Sequence, residues 1–432
     1  MKQILLALTY LILVAGRIFA GETNAPPLLT LADAEKIALE NHPQVAAADY
    51  RALAAEEAVV EARSGFFPAA NLYADAVGSD SENTRILAGG LNNPSVYDRA
   101  AGGLKISQLI TDFGQTANLT ASSQASARAE NQNATATRES VLLQVNIFYF
   151  RELEAQAELQ VAQQAFETRR LLLDQVSALA TNKLKSELDV SFAQVALEEG
   201  RLLVQKAGNN VDAAMAELST ALGYHGQKQF RLQEQVSTIT ALTNDVSQYV
   251  ETALNHRPEL LSLRSQVDAA TKFAQSERDA RLPTVSAVGM AGDAPYRDDR
   301  LPENYMAGGV EMSMPLFAGG FYAARQHQAE LKAQADDAVL RAAENNVIRD
   351  VRVAWLNLNN GTEQLNTTEK LVAEATEAFT LADARYRAGI SSIIEYSQAQ
   401  LSLVSAQLAN VNAHYDVLIQ EADLSFQTGT LL

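Results

Sequence analysis

A membrane β-barrel joined to a long α-helical coiled-coil barrel, arranged as two tandem repeats with four strands per chain, is the fold class that this 432-residue sequence predicts. Three observations predict it. The chain repeats itself at a nearly fixed offset, each repeat carries a heptad seam more than five heptads long, and each repeat holds two strand-length segments with one uncharged face.

The opening segment sets the compartment. Residues 1–20 read as a secretory signal: Lys2, the apolar run from Ile4 to Ala15, then "GRIFA" ending in a small residue before Gly21. That apolar run is short for a membrane span, so the expectation is cleavage after Ala20 and an exported chain. The sequence has no cysteine, which excludes disulfides, thiol catalysis, cysteine-ligated zinc and a lipidated cysteine. Its formal charge of −18, or −20 without Lys2 and Arg17, repels nucleic acid. His42, His225, His256, His327 and His414 show no ligand spacing, and no nucleotide loop, nucleophile elbow or catalytic carboxylate pair occurs. No metal, no cofactor and no enzymatic activity are expected.

The repeat is read from aligned pieces. "ALENHP" (Ala38 to Pro43) recurs as "ALNHRP" (Ala253 to Pro258), and Pro68 matches Pro283, both at an offset of 215. "GGLKISQLITDFG" (Gly102 to Gly114) matches "GGVEMSMPLFAGG" (Gly308 to Gly320) at an offset of 206, so the first repeat has nine extra loop residues between Pro68 and Gly102. The predicted division is residues 21–235 and 236–432. Each repeat has an opening helix (31–65 and 246–281), a β-hairpin (66–110 and 282–315) and a long helical hairpin with its tip at 181–187 or 387–392.

The long helices keep a seam in the same phase. Steps of four and three from Val141 reach Val145, Phe148, Glu152, Ala155, Leu159, Ala162, Phe166, Arg169, Leu173 and Val176, with only Glu152 and Arg169 polar. Adding 206 gives Val347 through Val351, Leu358, Leu365, Val372 and Phe379 to Tyr386. A sustained 3.5-residue period implies a left-handed supercoil. A helix from Gln115 to Thr181 would be about 100 Å long at 1.5 Å per residue, longer than a globular domain needs. Trp355 and Tyr149 match across the repeats and are expected to pack between helices.

In the hairpins, Gly308, Val310, Met312 and Met314 alternate with Gly309, Glu311 and Ser313, and Leu104 and Ile106 stand opposite Lys105 and Ser107. Strands of about ten residues match the span of a membrane β-strand. Lys105 and Glu311 are expected to line a barrel lumen, because a charge facing lipid costs a few kcal/mol. Four strands cannot close a barrel, since open edges in lipid leave backbone groups unsatisfied, so several chains must share one. Three chains would give twelve strands. A soluble periplasmic coiled-coil adaptor or scaffold with ordinary β-hairpins is the competing reading.

"MPLFAGG" (Met314 to Gly320), its partner "SQLITDFG", the paired "AL…P" openings and the tip "YRAGISSIIEYSQAQ" together resemble the TolC-type outer-membrane efflux and secretion channels. The resemblance covers essentially the whole mature chain. It implies a homotrimer with a shared twelve-stranded barrel in the outer membrane of a Gram-negative bacterium and a helical tunnel in the periplasm. The implied role is the exit duct of a tripartite efflux or type I secretion system, with a periplasmic membrane-fusion adaptor, an inner-membrane pump and outer-membrane lipid as partners. It also implies that the helical tips form an iris, with Asp189, Tyr386 and Glu395 as the periplasmic gate. Asn182, Lys183, Ser186, Arg387, Gly389, Ser391 and Ser392 form the tip turns and adaptor contact. Gly389 is expected at positive φ, Ser186 and either Ser391 or Ser392 as caps, and Asn182 in the left-handed region of the first tip. Ser391 stands where some members have an arginine that helps the closed state.

Overall fold

The computed structural model describes residues 26–78, 84–85, 95–96, 99–234, 245–297, 299 and 302–432. The expected signal segment, most of the first hairpin loop, residues 298, 300 and 301 of the second, and the predicted repeat boundary at 235 and 236 lie outside the described residues. In chain order the elements are β1 (Leu28–Leu29), α1 (Leu31–Asn41), α2 (Pro43–Ser64), β2 (Ala69–Val77), β3 (Thr84–Arg85), β4 (Ser95–Val96), β5 (Arg99–Thr111), α3 (Gln115–Thr181) and α4 (Glu187–Ala221). There follow β6 (Arg231–Leu232), α5 (Val246–His256), α6 (Pro258–Asp279), β7 (Thr284–Arg297), β8 (Asn304–Ser313), α7 (Phe321–Arg387) and α8 (Ile393–Thr428).

Prolines break what the sequence reads as one opening helix per repeat. Pro43 and Pro258 sit at the first position of α2 and α6, and the residues before them, His42 (ψ 124°) and Arg257 (ψ 120°), are extended. A proline ring excludes the preceding residue from helical geometry and has no N–H to donate, so each segment is two helices. The His42 ring nitrogen caps α2 by accepting from the Gln44 N–H at 3.2 Å.

The chain divides into two compact units. One comprises Leu39–Gln144, Ile239–Thr367 and Asp416–Leu432 and holds the main sheet. Its strands follow the order β2-β5-β7-β8, antiparallel throughout. The register carries each face continuously across all four strands. Leu72, Leu104, Ala291 and Met306 form one row of one face, and Asn71, Lys105, Met290 and Ala307 form a row of the other. Leu72, Met306, Val310 and Met312 on the first face are between 69% and 87% exposed, an apolar surface that nothing among the described residues covers. No helix among the described residues is long and apolar enough to cross a membrane.

The other unit comprises Met1–Ala38, Val145–Thr238 and Thr368–Tyr415. Here β1 and β6 pair in parallel, Leu28 with Arg231 and Leu29 with Leu232. The fully buried Tyr149 hydroxyl donates to the Leu29 carbonyl at 3.0 Å and the Gln233 carbonyl at 2.7 Å, holding the ends of this short ladder. Neither two-residue pairing, this one or β3 with β4, is visible in the sequence pattern. The polar seam positions are buried as well. Arg169 donates to the Ala196 carbonyl at 3.1 Å, and Glu152 accepts from the Gln156 amide at 2.8 Å. Burial, the larger cause, raises the Glu152 carboxyl to about 7.

Candidate functional site

The two tips of the long helical hairpins are built alike. At the end of α3, Lys183 N–H bonds the Ala180 carbonyl and Leu184 N–H the Leu179 carbonyl, both at 2.9 Å. At the end of α7, Gly389 N–H bonds the Tyr386 carbonyl at 3.0 Å and Ile390 N–H the Arg385 carbonyl at 2.9 Å. Each is a Schellman closure, which requires one left-handed residue. That residue is Gly389 (φ 73°) in the second tip and Lys183 (φ 61°) in the first. The left-handed position is therefore Lys183, not Asn182, and it is the counterpart of Gly389 at the 206-residue offset. Asn182 instead turns its side-chain amide back to the Ala178 carbonyl at 2.8 Å.

The outgoing helices start on serines. Ser186 and Asp189 form a reciprocal capping box at α4: Asp189 N–H to Ser186 Oγ at 3.2 Å, and Ser186 N–H to Asp189 Oδ2 at 3.1 Å. The Ser186 hydroxyl and N–H hold the Asp189 carboxyl below its ordinary range. At α8 the cap is Ser392, which accepts from Glu395 N–H at 3.3 Å. The neighbouring Ser391 hydroxyl is buried and has no hydrogen-bond partner among the described residues.

The three expected gate residues take different surroundings. Glu395 is exposed and paired with Arg385 across the turn, Nε to Oε1 at 3.0 Å. Arg387 pairs with Asp383 one helical turn back, at 2.9 Å. Tyr386 is buried in a cluster with Leu172, Val176, Ala193, Ile393 and Tyr396. Its ring centre lies 5.4 Å from that of Tyr396 and 4.4 Å from the Lys185 ammonium. The Tyr386 hydroxyl has no partner among the described residues. Burial first, and the Asp189 charge second, raise its pKa. The fold thus brings Asp189 and Tyr386 within electrostatic reach without a bond between them.

Lys185, Arg385 and Tyr396 are the tip residues that sequence reasoning missed. A contact across a turn between different helices leaves no periodic trace. Tyr396 alone carried a signal, as an aromatic on the buried face of α8.

In the sheet, Lys105 and Glu311 lie on the same face, two rows apart. Lys105 shares its row with Ala307, and Glu311 lies four residues along β8.

The sequence pattern described as "outer membrane efflux protein" matches residues 36–224 and 249–430. The outer membrane protein TolC of Salmonella enteritidis is 24% identical over 390 residues, covering 88% of this chain and 77% of that protein. The TolC of Vibrio cholerae is 25% identical over 407 residues, covering 93% and 91%. Among solved structures, the CusC channel aligns at a TM-score of 0.80 with 18% identity, covering 95% of this chain and 96% of that one.

Proposed function

We propose, from the premise that the chain belongs to the outer membrane efflux protein family, that three protomers share one twelve-stranded barrel. The family's members are channels rather than enzymes. This protein is accordingly an outer-membrane channel of a Gram-negative envelope, the exit duct of an efflux or type I secretion system, with its helical part in the periplasm.

The observation that carries the shared barrel is the four-stranded sheet, whose outer strands β2 and β8 each have one unpaired edge and whose one face is apolar and bare. In lipid such edges are untenable, and joining β8 of one copy to β2 of the next removes all of them. The apolar face then meets lipid, and Lys105 and Glu311 turn toward the lumen.

The tips are the periplasmic gate in this reading. Three copies of Asp189 and Glu395 ring the opening, and the unsatisfied Tyr386 hydroxyl finds its partner on a neighbouring protomer. The turns at Asn182–Ser186 and Arg387–Ser392 receive a membrane-fusion adaptor that links the duct to an inner-membrane pump. Cleavage before Gly21 and the division into repeats at residues 235 and 236 belong to the same proposal.

Mass measurement corrected for bound detergent tests the assembly. A stable trimer is expected, and a stable monomer would remove the shared barrel.

A further inference from the structure

One row across the main sheet reads Tyr73, Gly103, Gly292, Tyr305. The tyrosines stand on the outer strands β2 and β8, on the face that carries Lys105 and Glu311. Their hydroxyls meet at 2.7 Å above the two inner strands. The Tyr305 hydroxyl also donates to the Gly102 carbonyl at 3.3 Å, so Tyr73 is the donor between the two rings. Outer strands of a four-stranded sheet are about 14 Å apart, which two tyrosines laid toward each other can bridge only if nothing stands between them.

The glycines provide that clearance. A Cβ on Gly292 would lie 2.1 Å from the Tyr305 hydroxyl oxygen, and one on Gly103 would lie 2.7 Å from it. Covering glycine with a cross-strand aromatic ring recovers packing that glycine itself cannot supply. Beside the pair, Arg99 and Asp75 form an ion pair at 2.7 Å, and these four side chains with Pro302 wall a hollow of about 550 Å³. The row lies eight residues from Thr111, Thr284 and Ser313, the ends of β5, β7 and β8 nearest the helices.

We propose that Tyr73 and Tyr305 form a lumen-side strap that fixes the curvature of each protomer's four strands and narrows the bore at that height. They are then the conductance-determining residues of the barrel. A bond between the outer strands that passes over one face draws the edges toward that face and makes it concave. The inference rests on the shared-barrel reading, in which three straps make one belt of six rings. The belt is uncharged, so it restricts by size while Lys105 and Glu311 supply the field.

Single-channel recording of full-length protein in planar bilayers tests this. Tyr305→Ala should raise the open-channel conductance. Tyr305→Phe, which keeps the ring and loses the hydroxyl bond, should leave the mean conductance near wild type with more open-channel noise. Should Tyr305→Ala assemble poorly, the absence of native cysteine allows a second measurement. A hydrophilic methanethiosulfonate reagent should lower the current of the Tyr305→Cys channel in three steps and leave the Met306→Cys channel, altered on the opposite face, unchanged. Wild-type conductance in Tyr305→Ala, or an unmoved current in modified Tyr305→Cys, would overturn the strap while the trimeric channel stands. A wild-type protein that forms no trimeric channel would instead overturn the shared barrel.

Discussion

The Lys185 ammonium stands 4.4 Å from the centre of the Tyr386 ring, joining the first helical tip to the second within one protomer. A cation over an aromatic face thus bridges the two tips. At a partly exposed site such a contact contributes about 0.5–1 kcal/mol. Lys185→Gln should therefore raise the ratio of open to closed channels by about two- to five-fold, and Lys185→Arg should preserve it. Open probability in planar bilayers reads the change, and equal values for wild type and Lys185→Gln would dismiss the tie.

In the proposed trimer, the six carboxylates of Asp189 and Glu395 should bind multivalent cations at the tips and reduce conductance from the periplasmic side. Asp189→Asn combined with Glu395→Gln should abolish the block and leave trimers intact, because each cap contributes only about 1 kcal/mol. Ser186 lowers the Asp189 pKa, so the wild-type block should survive mild acidification. A double variant blocked like wild type would leave both acids as helix caps.

Gly389 sits at φ 73° with open space where a Cβ would point, so Gly389→Ala meets only backbone strain. A loss of about 1 kcal/mol is expected. Lys183 already bears that strain at φ 61°, and Lys183→Gly should relieve part of it. Thermal unfolding of the two variants should move in opposite directions; shifts of the same sign would contradict the matched turns.

Burial raises the Glu152 carboxyl to about 7 against an ordinary 4.5. The folded chain therefore holds a proton that the unfolded chain releases between those two values. This contribution is complete below about pH 4.5 and is lost as pH rises through about 7. Glu152→Gln should make the protein more stable at pH 8, by about 2–3 kcal/mol at most, and flatten the pH dependence of unfolding across that window. An unchanged dependence in the variant would show that another group, such as the similarly raised Glu139, dominates.

Much of this architecture is legible because it is periodic. The seam from Val141 to Val176 and its copy from Val347 to Tyr386 repeat every seven residues, and those positions are buried or half-buried in α3 and α7. Alternation around Val310 marks β8 as clearly. What the sequence hides is pairing between elements. A period of two assigns Tyr73 and Tyr305 to a face, but only strand register places them in one row with Gly103 and Gly292. The Arg385–Glu395 pair spans a turn and fits no helical spacing. The left-handed Lys183 escaped because asparagine is the commoner occupant of that geometry, while the closure fixes the position by its hydrogen bonds and not by residue preference.

The pairing of β1 with β6 also bears on the order of events during folding. Leu28 can meet Arg231 only after about two hundred intervening residues have emerged, and closing so long a loop is entropically slow although only weakly dependent on its exact length. The first long helical hairpin, Gln115 to Ala221, can form from neighbouring sequence beforehand. The parallel ladder under Tyr149 thus follows that hairpin, closing only once Arg231 and Leu232 have arrived.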